Sequence, residues 1–258
     1  MSDPASMLHD LYYYPVKGLS PQALRRAALL PGQTIGCDRL YAVENGPSGF
    51  NPQTPAHLPK QRFLMLMRNE RLARLKSVFD TDTHALSIEF EGREVARGDL
   101  RTPAGRAEVE RFLGEYCADE LRGAPKVLSA PGHSFSDVSR KVVSIINLAS
   151  VRAIETVVGA KVDPLRFRAN LYVTGWPAWH EFTLLGRTVK VGQAAEIKIV
   201  KRILRCAATD VDPQTGERDL AIPRSLTAAF GHGDCGVYGE VMTGGEIAVG
   251  DCVATAAA

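Results

Sequence analysis

The chain lacks the features that would place it quickly in several large classes. It has five cysteines (Cys37, Cys117, Cys206, Cys235 and Cys252), an odd number with no Cys-x-x-Cys pair and no Cys/His ligand spacing. A disulfide framework, a zinc site and a protein-held iron–sulfur cluster are therefore all poorly supported, and reduced thiols in a cytoplasmic setting are expected. The first ten residues carry no basic segment followed by an apolar one, so no secretory signal is read. No stretch approaches the roughly 20 apolar residues of a spanning helix. Aromatic residues are sparse, at 7%. Charge of one sign is not in excess: 31 basic and 29 acidic residues leave a formal net charge of +2, with no footprint for nucleic acid or a membrane surface. No Gly-x-Gly-x-x-Gly follows a strand, and there is no P-loop, no βαβ rhythm, no internal repeat and no low-complexity tract.

What is present is an ordinary globular composition, 45% hydrophobic and 23% charged over 258 residues, enough for one large or two modest domains. Strands are predicted over 8–16, 27–30, 39–43, 63–67, 85–90, 142–146, 167–173, 195–204, 237–241 and 246–249, with a hairpin of 182–185 and 188–191 around Gly186-Arg187. Helices are expected after Asn69 (with Leu72, Leu75 and Phe79 on one face), over 106–117, after Asn147 and over 225–230. The Gly- and Pro-rich stretch 46–59 reads as a long loop and a candidate lid. The loop-like stretch 122–137 suggests a boundary between an N-terminal domain, residues 1–124, and a C-terminal domain, residues 125–258. Many short, punctuated strands with few helices point to a mainly β, α+β chain of barrel-like sheets with helices packed outside.

Cys206 is the residue most suited to chemistry. An apolar strand there gives way to the turn-rich run Asp210-Val211-Asp212-Pro213-Gln214-Thr215-Gly216, and Arg205 stands beside the thiol. A neighbouring guanidinium favours the thiolate, which is both the nucleophile and the metal ligand. The plain alternative is a buried cysteine acting as a small hydrophobe. Lys17, Arg39, Arg166, Arg168 and Arg205 fall at strand ends or in loops, where they suit a phosphate or another compact polyanion. Strand alternation through 166–171 would set Arg166, Arg168 and Asn170 on one face, where two like charges call for an anion or for solvent. Cys37, Cys117 and Cys252 read as structural. Cys235 is expected in a flexible loop. His57, His133, His180 and His232 are read as loop histidines that could border a pocket.

These pieces carry a family resemblance. Residues 167–175 (FRANLYVTG), 205–217 (RCAATDVDPQTGE) and 236–251 (GVYGEVMTGGEIAVGD) resemble a MOSC domain, the molybdenum-cofactor sulfurase C-terminal type. Residues 12–24 (YYYPVKGLSPQAL) and 29–43 (LLPGQTIGCDRLYAV) resemble the N-terminal β-barrel domain that accompanies MOSC in amidoxime-reducing enzymes. The resemblance spans nearly the whole chain. It implies a molybdenum-pterin cofactor with Cys206 as a metal ligand. Its phosphate would be held by Lys17, Arg39 and Arg168, with Arg205 also binding the anionic end and Gly18, Arg166 and Asn170 nearby, and it places Asp137 and Ser139 in an Asp-x-Ser element of the site. Soft thiolate suits such a metal, and buried cations suit the cofactor's anionic end. Two positions depart from the pattern: Ala169 stands where proline is frequent, and Gly18 where serine is common and would add a hydrogen bond. With no cysteine-rich ferredoxin segment and no aminotransferase-like domain, the implied enzyme takes electrons from a separate flavin, haem or iron–sulfur protein. The expected activity is reduction of small N-hydroxylated substrates such as amidoximes, hydroxylamines and N-hydroxylated bases. The alternatives are a non-redox cofactor or persulfide carrier using Cys206, and a binding domain without activity.

Overall fold

The computed structural model describes residues 6–255. Fifteen strands and four α-helices follow one another among them. In chain order the strands are β1 (Met7–Tyr13), β2 (Gln22–Leu24), β3 (Arg26–Leu29), β4 (Ala42–Glu44), β5 (Lys76–Phe79), β6 (Ala85–Phe90), β7 (Arg93–Asp99), β8 (Lys126–Leu128), β9 (Val143–Asn147), β10 (Leu171–Thr174), β11 (Thr188–Val191), β12 (Ala195–Leu204), β13 (Asp234–Thr243), β14 (Gly245–Ala248) and β15 (Val253–Thr255). The helices are α1 (Pro103–Tyr116), α2 (Leu148–Val158), α3 (His180–Thr183) and α4 (Ile222–Phe230). The chain is mainly β with helices packed outside, as its punctuation predicts. No helix among the described residues is long and apolar enough to cross a membrane.

The central sheet has eight strands in the order β15-β11-β12-β13-β9-β10-β1-β2. Only β9 and β10 run parallel; the other neighbours are antiparallel. β14 pairs with β3, β4 with β8, and β5-β6-β7 form a three-stranded meander. The pairing interleaves the two ends of the chain. β1 and β2 extend the sheet built by residues beyond 142, and β3 is paired to β14. One core fills the large sheet with Leu11, Val143, Leu171, Ile197 and Val237. A second joins the meander to α1 through Leu86, Ile88, Val109 and Leu113. A third lies under α2 and α4.

Local chemistry explains the helices. Thr102 caps α1 by accepting from the Gly105 amide, and Pro103 occupies the first turn, where its missing N–H costs nothing. Asn147 caps α2 through the Ala149 amide, and Gly159 closes it in a left-handed conformation.

Several expectations are corrected. The helix after Asn69 is a single turn, Glu70–Arg74, which gives way to β5. Asn69 spends its side chain on the Met65 amide and Glu120 rather than on a cap. Leu72, Leu75 and Phe79 are buried as expected, but Ser77 and Phe79 point inward by strand alternation, with β6 as the partner. Residues 63–67 form no strand beyond a bridge from Phe63 to Glu44, because the chain turns at Met65–Asn69. The expected strand over 182–185 is instead the end of helix α3 and the turn that follows it, and β11 makes its hairpin with β12 around left-handed Gly192. β14 turns away from β13 to pair with β3. The stretch 122–137 holds the short strand β8, and Cys235 is a buried residue of β13 rather than a member of a flexible loop.

Candidate functional site

The strand expected over 167–173 begins only at Leu171. Asp163 caps a single helical turn, Pro164–Phe167, and Arg168 follows in a left-handed conformation with φ 50°. This corrects the shared face of Arg166, Arg168 and Asn170, since the three side chains enter different surroundings. Arg166 is buried and taken up by its own chain: it is bidentate to Asp219 at 2.8 Å, and reaches Asp212 at 3.0 Å and the Asp210 carbonyl at 3.1 Å. It fastens the loop after Cys206, and it meets the cavity with its charge already answered by Asp212 and Asp219. Asn170 is also structural: its amide oxygen accepts from the Ser144 amide and hydroxyl, and its Nδ2 donates to the Tyr12 carbonyl. The Arg205 guanidinium bonds the Cys235 and Phe167 carbonyls and so braces the backbone around the thiol, and the residue borders the same cavity. Ser139 is exposed and does not border the cavity described next.

The remaining residues converge. A cavity of about 240 Å³ is bordered by Lys17, Arg39, Lys60, Asp137, Arg168 and Cys206. Cys206 follows β12 with an extended backbone, half-buried, its carbonyl accepting from the Thr209 amide and hydroxyl at 3.0 Å each. Lys17 is 7% exposed, and its amide is fixed to the Tyr41 carbonyl. Its ammonium donates to the Phe135 carbonyl at 2.9 Å and pairs with Asp137. Lys60 donates to the Cys206 sulfur at 3.2 Å and lies 3.5 Å from Asp137. Burial lowers the Lys17 ammonium despite Asp137. For Lys60, burial pulls downward, but Asp137 and Cys206 outweigh it and the net shift is up. Burial pushes the Asp137 carboxyl up, yet Lys17, Lys60 and Arg39 together hold it well below the usual carboxylate range.

Arg39 pairs with buried Asp38 and donates to the Arg168 carbonyl at 2.9 Å. The Arg168 guanidinium has neither a paired carboxylate nor a hydrogen-bond acceptor among the described residues; it rests on the Tyr14 ring at 4.4 Å. Burial lowers its basicity, and repulsion from Arg39 adds to that. Arg168 is half-buried, and its nitrogens, which no protein acceptor takes, keep contact with the solvent of the cavity. The arrangement leaves one cation at the cavity wall without a protein counter-charge among the described residues.

Lys60 escaped sequence reading. It follows the 46–59 loop, remote in sequence from every other group of the site, and nothing in its local pattern marks it. That loop packs Phe50 against His133 and Phe135, at centroid distances of 5.2 and 4.9 Å, and its end delivers Lys60 to the thiol. Gly18 borders the cavity with φ 87°; a Cβ there would meet the Leu64 carbonyl oxygen at 2.9 Å. The serine expected of the family therefore does not fit this backbone.

Residues 5–119 match the MOSC N-terminal beta barrel domain, and residues 130–254 match the MOSC domain. The chain belongs to the MOSC family. Among solved structures it is similar to the YuaD protein from Bacillus subtilis, with 12% identity, 96% of this chain and 94% of that chain covered, and a TM-score of 0.46. It is also similar to YiiM from Geobacillus stearothermophilus, with 16% identity, 45% and 54% covered, and a TM-score of 0.35. No curated protein matches it. In this MOSC chain the two matched regions meet at the cavity: Lys17, Arg39 and Lys60 come from the first, and Asp137, Arg168 and Cys206 from the second.

The donor set fits a cofactor that brings most of its own metal ligands. Among the described residues no three His, Cys, Asp or Glu side chains gather as a metal cluster. One thiol opens onto the cavity, and the cations around it outnumber the carboxylates. A metal already held by sulfur atoms of an anionic organic group needs just such a partner.

Proposed function

We propose that this MOSC protein binds a molybdenum-pterin cofactor and, with it, reduces small N-hydroxylated compounds. The observation that carries the reading is the single thiol of Cys206 facing a cavity where Arg168 is held without a paired counter-charge. Cys206 would supply a thiolate ligand to the metal. Lys17, Arg39 and Arg168 would hold the cofactor's phosphate and the negative charge around it. Lys60 orients the sulfur from one side, and Asp137 fixes Lys17 and Lys60 relative to each other. The carbonyl bonds of Arg205 keep the strand end from shifting the thiol. The bound group supplies reversible electron exchange at the metal; the protein supplies binding, orientation and limited access of water. Reduction of an N–OH group takes up electrons and protons and releases water, so a separate electron-transfer protein is required as the donor. Substrate would enter past exposed Lys201 and Leu204, which border the open side of the cavity.

The test is elemental analysis of purified wild type and Cys206→Ser, followed by reduction of benzamidoxime with viologen dye as the artificial donor. Near-stoichiometric molybdenum in wild type, its loss in Cys206→Ser, and turnover only by the loaded wild type are expected. Stoichiometric molybdenum in both proteins refutes the ligand role. Absence of molybdenum together with labile sulfur on Cys206 replaces the reductase with a persulfide carrier.

A further inference from the structure

Two arginines from distant stretches of the chain share one aromatic ring. The guanidinium carbons of Arg39 and Arg168 lie 4.7 and 4.4 Å from the Tyr14 ring centroid. Both residues have left-handed backbones, φ 51° and 50°, a conformation that non-glycine residues adopt at a cost and that concentrates at functional sites. The arginines are also linked directly, Arg39 donating to the Arg168 carbonyl. Tyr14 itself is wholly buried and held at three points. Its amide donates to Asp38 at 2.8 Å, its carbonyl accepts from the Arg39 amide at 2.7 Å, and its hydroxyl donates to the Ala169 carbonyl at 3.2 Å. Its ring cannot drift away from either cation.

Two like charges held close together at a half-buried cavity wall repel. Asp38 answers Arg39. No carboxylate pairs with Arg168, which leaves that place to whatever occupies the cavity. The electron-rich face of a ring is the remaining device that holds a cation without neutralising it, and the attraction grows when water is excluded.

We propose that Tyr14 is a positioning residue: its ring is the platform that holds Arg39 and Arg168 in place as a preformed clamp for a phosphoryl or pyrophosphoryl group. The clamp acts before any ligand arrives, because a ring costs the incoming anion nothing to displace, whereas a carboxylate would have to be broken away. The hydroxyl serves to fix the ring, and the ring does the holding. The inference rests on the reading of the cavity as an anion site.

The test uses the protein without cofactor, titrated with pyrophosphate by calorimetry at fixed ionic strength, with a thermal melt of each variant. Tyr14→Phe keeps the platform and is expected to bind within about twofold of wild type. Tyr14→Met fills the space without a π face and is expected to weaken pyrophosphate by about tenfold, from the loss of two cation–π contacts. In an Arg168→Gln background the same Tyr14→Met change is expected to cost much less, because one of the two cations it serves is gone. Tenfold weakening in Tyr14→Phe overturns the platform role even if Tyr14→Met fails to fold. Wild-type affinity in a folded Tyr14→Met overturns it too. If wild type itself does not bind pyrophosphate, the anion-site reading falls, and the clamp with it. If wild type binds and the variants do not separate, only the role of Tyr14 falls.

Discussion

Arg166 and Arg168 sit two residues apart, yet removing them should have opposite consequences. The Arg166 side chain is 2% exposed and has two acidic partners, Asp212 at 24% and Asp219 at 43% exposed. Arg166→Met keeps the aliphatic stem and deletes the charge, leaving two carboxylates without a cation. Breaking a fully buried pair costs about 3–5 kcal/mol. Here the stranded carboxylates can partly rehydrate, and Arg166 Nε has no partner to lose, so about 2 kcal/mol is expected. For a chain of this size that lowers the melting temperature by about 4–8 °C. Arg168→Met strands nothing. It removes a half-buried cation and the repulsion from Arg39, against one cation–π contact worth about 1 kcal/mol. Its stability should stay within about 1 kcal/mol of wild type, while stabilisation by added pyrophosphate disappears. Thermal melts of both variants, with and without pyrophosphate, decide the matter. An Arg166→Met that melts like wild type, or an Arg168→Met that falls as far as Arg166→Met, refutes the division of these arginines into loop fastener and ligand cation.

Gly18→Ala should melt several degrees lower, because a side chain at φ 87° also presses on the Leu64 carbonyl; an unchanged melt refutes the close approach. Burial pushes the Cys117 thiol up to about 12, against about 8.5 in an unfolded chain. Its contribution to stability is therefore complete below the unfolded value and is lost as pH rises from about 9 towards 12, so Cys117→Ala should flatten the alkaline side of the urea-midpoint profile. In native protein an aromatic disulfide reagent should label exposed Cys252 first and half-buried Cys37 and Cys206 more slowly, with Cys117 and Cys235 reacting only after unfolding; early labelling of Cys235 contradicts its place on β13.

The legible portion of the site was the portion written in short strings. Lys17 and Arg39 stand within a few residues of recognisable turns, and Cys206 follows a strand whose alternation is plain in the sequence. Alternation failed at 166–170 because Asp163 and Pro164 start a helical turn there, and a left-handed Arg168 then breaks the phase. The two arginines that looked like one binding face became a loop anchor and a ring-stacked cation. Asn170, chosen for its place beside them, proved to satisfy Ser144. Lys60 was out of reach for another reason: its partners are 77 and 146 residues away, and no local pattern encodes such a meeting. The large sheet shows the same limit. The strands were readable one by one, but β1 gives no sign in sequence that it will lie beside β10.

That placement of β1 bears on how the site holds together. β1 is hydrogen-bonded to β10 and leads through Tyr14 to Lys17, so the first cation of the cavity hangs from the sheet whose strand β12 ends next to the thiol. The opposite side is closed by loop contacts: Arg218 reaches the Leu66 and Met67 carbonyls and Glu70, and Lys76 reaches Pro213 and Gln214. The cavity is thus fastened on both flanks by groups from both matched regions. Separation of 125–258 from the rest would remove Lys17, Arg39 and Lys60 and would also expose the β10 edge that β1 covers, an unpaired edge prone to pairing with other chains. The thiol and the cations around it therefore come together only in the presence of both regions, because the strand that extends the sheet also leads to Tyr14 and Lys17.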